Sequence, residues 1–167
     1  MSDRIVIRPY KPDDLETLRK LTIAAFDGVS IDQGIEREYG LVNGKDWEWR
    51  KGRHVDTDVT RDPEGVFIAE VGGQIVGAIS SWRDQSAGIG HIPNLLVIPE
   101  FQGHGLGRRL IQHVLDHFHK HGLTHAKIET LEQNTVGNHL YRKLGFREVA
   151  KQVHFVGPIA EMRQSST

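Results

Sequence analysis

The apolar positions of the chain change period several times, and each change predicts an element. Ile5 to Arg8 is a short β-branched run ended by Pro9, and Asp13 or Asp14 then stands as an N-cap before Leu15, Leu18, Leu21, Thr22, Ala25 and Phe26. That succession predicts a strand and then an amphipathic helix. From Gly28 to Asp62 the apolar residues are sparse and irregular, with Trp47 and Trp49 set among charges, so the pattern supports only fragments of helix. Val66 to Val71 and Gln74 to Trp82 are apolar, β-branched runs on either side of Gly72-Gly73. That dipeptide tolerates the positive φ values of a two-residue hairpin turn.

Asp84 to Gly90 is turn-like, and His91 to Ile98 holds the continuous run Leu95-Leu96-Val97-Ile98, as expected of a strand covered on both faces. Pro93 cannot donate to a ladder, so the early part of this strand should be bulged or unpaired on one side. After Gly107 the stripe Leu110, Ile111, Val114, Leu115 and Phe118 predicts a helix that stops with Gly122 at C′. Ala126, Ile128 and Thr130 alternate with Lys127, Glu129 and Leu131 as a strand, after which Asn134 caps a helix through Leu144. Gly145-Phe146 supplies the left-handed residue and the apolar contact that end it. Phe146 to Val156 offers one or two closing strands. The expected organisation is one domain over residues 1–157 and a loosely ordered tail over 158–167, with no internal repeat.

Composition narrows the function. Of 167 residues, 38% are apolar and 26% charged, and the net charge of −1 leaves no excess to draw the chain onto nucleic acid or an anionic membrane. The opening residues reach only a three-residue apolar run, so no secretory leader is expected, and no window is apolar enough to span a bilayer. A cytoplasmic location is the expectation. Without cysteine, thiol catalysis and Cys-based metal sites are excluded, and a metal would need His and carboxylates. His113, His117 and His121 recur at four-residue spacing, and His113 to His117 approximate an inverted zinc-hydrolase motif, with Asp116 where a Glu belongs. They flank the apolar stripe of a helix, so a solvated face is the better account and no metal is expected.

The chemistry concentrates in Gln102-Gly103-His104-Gly105-Leu106-Gly107, between a buried strand and an amphipathic helix. Glycines at alternate positions let the backbone approach a ligand and turn successive N–H groups toward it, while the helix start adds its dipole. The result is an anion cradle, against the plainer account of a glycine-rich linker. A P-loop is ruled out, because its Lys and Ser/Thr are missing. A dinucleotide fingerprint begun at Gly103 or Gly105 meets Arg108 or Leu110 where its third glycine belongs.

These residues resemble the GNAT superfamily of acyl-CoA-dependent N-acetyltransferases. Its signature is a strand, then Gln or Arg, two residues, Gly, one residue and Gly or Ala, then a helix; here that is Leu95 through Gly107. A second signature, an Asn seven residues before a Tyr with Gly-Phe soon after, matches Asn134, Tyr141 and Gly145-Phe146. The resemblance spans nearly the whole chain except Gly28 to Asp62.

The resemblance implies a mixed α/β fold: a central, mostly antiparallel sheet with one splayed parallel strand pair and helices on both faces. It implies acetyl-CoA as co-substrate, its pantetheine on backbone groups of Leu95, Leu96 and Val97, and its pyrophosphate on Gly103, His104, Gly105, Leu106, Gly107 and Arg108, beside Gln102. Asn134 would contact the cofactor or simply cap its helix. Tyr141, one turn after Gly137, would be the general acid for the departing thiolate, and Glu129 the base for the acceptor amine, directly or through water, with Glu132 and Glu100 as lesser substitutes. The implied reaction is direct attack by a primary amine, of a small molecule or a peptide, in a ternary complex. The alternative is a catalytically silent acyl-CoA sensor of the same fold. Trp47 and Trp49 would line an acceptor pocket or pack, and the oligomeric state stays open, a homodimer included.

Overall fold

The computed structural model describes residues 4–164; Met1 to Asp3 of the opening segment and Ser165 to Thr167 of the expected tail lie outside the described residues. Five strands, β1 (Val6–Pro9), β2 (Val66–Val71), β3 (Gln74–Asp84), β4 (Ile89–Val97) and β5 (His125–Ile128), form one sheet in that order. The first three junctions are antiparallel and the last, β4 to β5, is parallel. Pro9 does not end β1 but belongs to it, tolerated because β1 is an edge strand with one partner. Gly72 and Gly73 turn the β2–β3 hairpin with φ of 55° and 84°.

Alternation along β2 sends Val66 and Ile68 to one face and Phe67 and Ala69 to the other, so the sheet carries two cores. On the first face lie α1 (Leu15–Ala25) and α3 (Trp47–Arg61), contributing Leu18 and Val55, with α2 (Ile31–Tyr39) between them in sequence. On the second lies α4 (Leu106–Lys120), whose Leu110, Ile111, Val114 and Phe118 are buried against Val76, Ile79 and Ile92. Gly122, with φ of 77°, follows its last turn. Two further helices, α5 (Thr135–Lys143) and α6 (Ile159–Gln164), complete the described residues.

Phe118 fixes one residue on β4. A methyl group on Gly90 would overlap the Phe118 ring itself, which is buried and cannot swing aside. Gly90→Ala should therefore destabilise the fold by roughly 1–3 kcal/mol, as overpacked cores do. Denaturant midpoints of the two proteins check this, and an unchanged midpoint would show that the α4–β4 contact yields without cost.

Three of these expectations need correction. Phe146 to Val156 forms no strand: it does not pair with the open edge of β5, and Val149 and Phe155 are 92% and 90% exposed, so its apolar side chains gain none of the packing that stabilises a strand. β5 stops at Ile128, leaving Glu129 and Thr130 outside the ladder. Asp14 does not cap α1 through its side chain; it accepts two hydrogen bonds from the Arg8 guanidinium, at 2.8 and 2.9 Å, and one from the Lys11 N–H at 2.8 Å. Within the expected tail, Ile159–Gln164 form α6, none of whose residues is buried, which leaves that expectation as it stood.

Of the three histidines, His121 is exposed as expected, but His113 and His117 are half-buried. His113 and His117 meet the Phe67 ring edge-on, with centroids 4.4 and 5.2 Å away. Burial lowers the pKa of both, and among the described residues His117 Nε2 is buried without a hydrogen-bond partner. Among the described residues no group of three or more His, Asp or Glu could hold a metal. The neutral rings are the ones the fold accommodates, so their contribution to stability is present above the unfolded-state pKa near 6.5 and lost as pH falls through the lower folded-state values. The thermal midpoint should drop between pH 7 and pH 5, and His117→Leu should flatten that drop. A variant as acid-sensitive as the parent would place the sensitivity elsewhere.

Candidate active site

β4 and β5 pair only from Ile89↔His125 to Ile92↔Ile128; beyond that point β4 continues to Val97 with β3 as its one partner. The strands part where β4 is irregular, Ser80 facing Asn94 and Trp82 facing His91 so that Ile92 and Pro93 oppose Ser81 alone. This is the interruption that Pro93 predicts. After it, the Ile98 N–H donates to the Val76 carbonyl at 3.0 Å, which fixes the alternation. Leu96 and Ile98 turn their backbone groups to β3, while those of Leu95 and Val97 address the side that β5 has left. The Val97 carbonyl there accepts the Gln102 side-chain amide at 2.9 Å.

The glycine turn follows a short 3-10 turn, Pro99–Phe101. Gly103 and Gly105 are left-handed, with φ of 77° and 79°, and a Cβ on either would meet nothing within 4 Å. Conformation, not crowding, requires glycine at both. At Gly107 the fit is tight: a Cβ there would stand 3.2 Å from Leu140 Cδ2 of α5, which would have to shift by a few tenths of an ångström. The first α4 bond runs from the Arg109 N–H to the Gly105 carbonyl at 3.1 Å, leaving the N–H groups of Leu106, Gly107 and Arg108 ahead of the ladder. Leu106 is buried and anchors the turn, whereas Gln102, His104 and Arg108 are exposed around it. A row of free N–H groups at a helix start suits a multiply charged anion.

α5 stands beside this turn. Asn134 caps it: Oδ1 accepts the Gly137 N–H at 3.1 Å and Nδ2 donates to Thr130 Oγ1 at 2.8 Å, so both ends of the amide are engaged. A side chain on Gly137 would strike that capping amide, with a Cβ 2.6 Å from Asn134 Nδ2. At the other end the Phe146 N–H reaches the Tyr141 carbonyl and the Gly145 N–H the Arg142 carbonyl, both at 3.1 Å, around Gly145 at φ of 97°. This closure sets the Phe146 ring against Tyr141, centroids 6.4 Å apart.

Tyr141 lies against the α4-side core, and burial alone pushes its hydroxyl up to about 12. A phenol so placed stays protonated throughout the neutral range. Glu129 stands one residue past the last β4–β5 pair, 63% exposed and 2.6 Å from Lys127 Nζ. Glu132 pairs with Lys151 at 2.8 Å, and Glu100 is exposed beside the glycine turn. The fissure, the turn and α5 thus assemble from residues 92–108 and 128–146. Trp47 and Trp49 open α3, whose N-cap Asp46 accepts the Trp49 N–H at 2.8 Å, and Trp49 is stacked by Lys45 and Arg53.

Sequence reasoning overlooked a polar cluster on the other face of β4, formed by Lys51 and Asp58 of α3 with Ser80 and Asn94. Its signal was present in the spacing: Lys51, Val55 and Asp58 fall on one helical face.

Residues 30–146 match the acetyltransferase (GNAT) family. The chain is 35% identical over 108 residues to a mycothiol acetyltransferase of Cellulomonas flavigena, covering 59% of this chain and 31% of that one. A mycothiol acetyltransferase of Thermomonospora curvata is 35% identical over 169 residues, covering 93% of this chain and 56% of its own. The chain therefore spans between about a third and somewhat over half of these relatives' lengths. Its fold is similar to the crystal structure of PaiA N-acetyltransferase from Thermoplasma acidophilum in complex with coenzyme A, with a TM-score of 0.72 at 21% identity over 89% of this chain and 93% of that one.

Proposed function

The chain belongs to the GNAT acetyltransferase family, and from that premise we propose that it moves an acetyl group from acetyl-CoA to a primary amine by direct attack in a ternary complex. The parting of β4 from β5 immediately before the glycine turn carries this reading. A strand whose outer N–H and C=O groups have no strand partner suits a chain of alternating amides such as pantetheine, and Leu95 and Val97 offer those groups. The N–H groups at the start of α4 suit the pyrophosphate, with Gln102, His104 and Arg108 at its edge. When bound, acetyl-CoA supplies the activated thioester.

For the transfer, the amine must lose a proton it holds with a pKa near 10, and the sulfur must gain a donor as its bond to carbon breaks. Glu129, at the mouth of the fissure, takes the first proton directly or through water. Tyr141, kept neutral by burial, offers its hydroxyl to the sulfur. Asn134 serves by capping the helix that carries Tyr141.

Titration calorimetry with coenzyme A, followed by thiol release from acetyl-CoA over a panel of amines, tests this reading. A mycothiol-type amine belongs in that panel because of the relatives named for it. Micromolar binding and amine-dependent thiol release are expected. Binding with no release for any amine would instead favour an acyl-CoA sensor, and no binding would end both readings.

A further inference from the structure

The face of β4 turned toward α3 carries charge where packing alone favours apolar side chains. Lys51 is only 5% exposed; its Nζ donates to Asn94 Oδ1 at 2.9 Å and stands 3.6 Å from the Phe26 ring centroid. Asn94 Nδ2 donates to Asp58 Oδ2 at 2.6 Å, and Ser80 Oγ donates to that same oxygen, also at 2.6 Å. Ser80 and Asn94 face each other across the β3–β4 ladder, so one α3 carboxylate grips both strands at that pair. Thr22, Asp58, Ser80 and Asn94 also border a cavity of about 20 Å³, room for one water.

The position of Asn94 gives the cluster its meaning. Asn94 is the first residue of β4 to resume pairing after the Ile92–Pro93 irregularity, and it directly precedes Leu95, whose backbone groups address the fissure. Between the bulge and the departed β5, the β3 ladder alone holds the backbone of this stretch, and Asp58 ties its first pair, Ser80 and Asn94, through their side chains. The cluster has a cost in desolvation: burial pulls Lys51 down to about 8 and pushes the Asp58 carboxyl up. Buried ion clusters are often matched in stability by apolar residues of similar volume, and perturbed charges tend to gather at functional sites.

We propose that Asp58 is a positioning residue for acyl transfer: through Asn94 it fixes the β4 backbone beside the thioester, with Lys51 as its counter-cation. The proposal rests on the acetyl-transfer reading above. Around the Lys51 ammonium stand Asp58 and His54 of α3, Asp32 of α2, Asn94 of β4 and the Phe26 ring after α1. Arg50 of α3 holds Asp32 at 3.3 Å.

The test uses the full chain with acetyl-CoA and an amine that gives turnover. Asp58→Asn and Asn94→Ala should each lower kcat about 10- to 100-fold, the scale of a small misplacement of reacting groups, while KM for acetyl-CoA moves less than about threefold. The double variant should be no worse than the poorer single one, since both break one linkage. Wild-type kcat should fall as pH rises through about 8 and Lys51 loses its charge, and Lys51→Met should lack that fall. A purely structural cluster would lower the folded fraction but leave kcat per folded molecule and its pH profile alone. Should Asp58→Asn not fold, Asn94→Ala and the Lys51→Met profile decide. Full kcat in the variants, effects that multiply in the double variant, or an unaltered profile overturns the proposal alone. A wild-type protein that binds coenzyme A and acetylates no amine overturns the transfer reading and this proposal with it.

Discussion

Tyr141→Phe should lower kcat by about 10- to 100-fold, near the lower end of what general acid catalysis supplies, while leaving coenzyme A affinity within about twofold. The size follows from the hydroxyl's surroundings. Burial holds it up to about 12, with no hydrogen bond among the causes, so it remains neutral wherever the enzyme works. A thiolate with a pKa near 8.5 is a weaker base than that phenolate, so full proton transfer from Tyr141 to sulfur is uphill. The hydroxyl is therefore expected to stabilise the leaving sulfur by hydrogen-bond donation during bond breaking rather than by completed transfer. In free energy the expected loss is about 1.4–2.7 kcal/mol of transition-state stabilisation.

Two controls are built into this substitution. The phenyl ring keeps its packing against Phe146 and the α4-side core, and among the described residues the hydroxyl has no hydrogen bond to lose, so the denaturant midpoint should barely move. Wild-type kcat should also show no decline from this group up to about pH 10, because its ionisation lies about two units higher. Turnover within twofold of wild type would remove Tyr141 as the acid, and a large loss of coenzyme A affinity would assign it to binding instead.

What could be read from the chain follows the locality of each signal. The β2–β3 hairpin depends on Gly72-Gly73 and the runs beside it, and α4 on a stripe from Leu110 to Phe118 that one face of a helix displays. The glycine turn and the Asn134 cap are equally local, which is why the turn over residues 102–108 and the capped helix over 134–146 were legible as elements. α3 was not. Its sheet-facing row is Lys51, Val55 and Asp58, and a scan for apolar periodicity treats inward-facing charges as solvent-facing ones. The reverse error affected residues 147–156: their apolar alternation is a strand pattern, yet Val149, Val153 and Phe155 are exposed. His113 and His117 illustrate the same limit, since nothing local announces that Phe67, far away in sequence, packs between them and the sheet.

Gly105→Val should weaken coenzyme A binding by about 30- to 100-fold while leaving kcat at saturating cofactor little changed. At φ of 79° this residue is the N-cap of α4, in a conformation that costs an ordinary L residue about 1–2 kcal/mol and a β-branched one more. Space is not the obstacle, as a Cβ there meets nothing within 4 Å. The turn must instead re-fold, and the N–H groups of Leu106 to Arg108 lose their common direction. Gly73→Val, at φ of 84° in the distant hairpin, carries similar strain and should lower stability without touching affinity. Arg108→Ala separates backbone from side-chain recognition: a grip made by main-chain N–H groups predicts a loss of about threefold or less, shrinking further as salt screens an exposed charge. If Arg108→Ala costs more than Gly105→Val, or if Gly105→Val binds coenzyme A as the parent does while folded, the diphosphate is not held by the main chain of this turn.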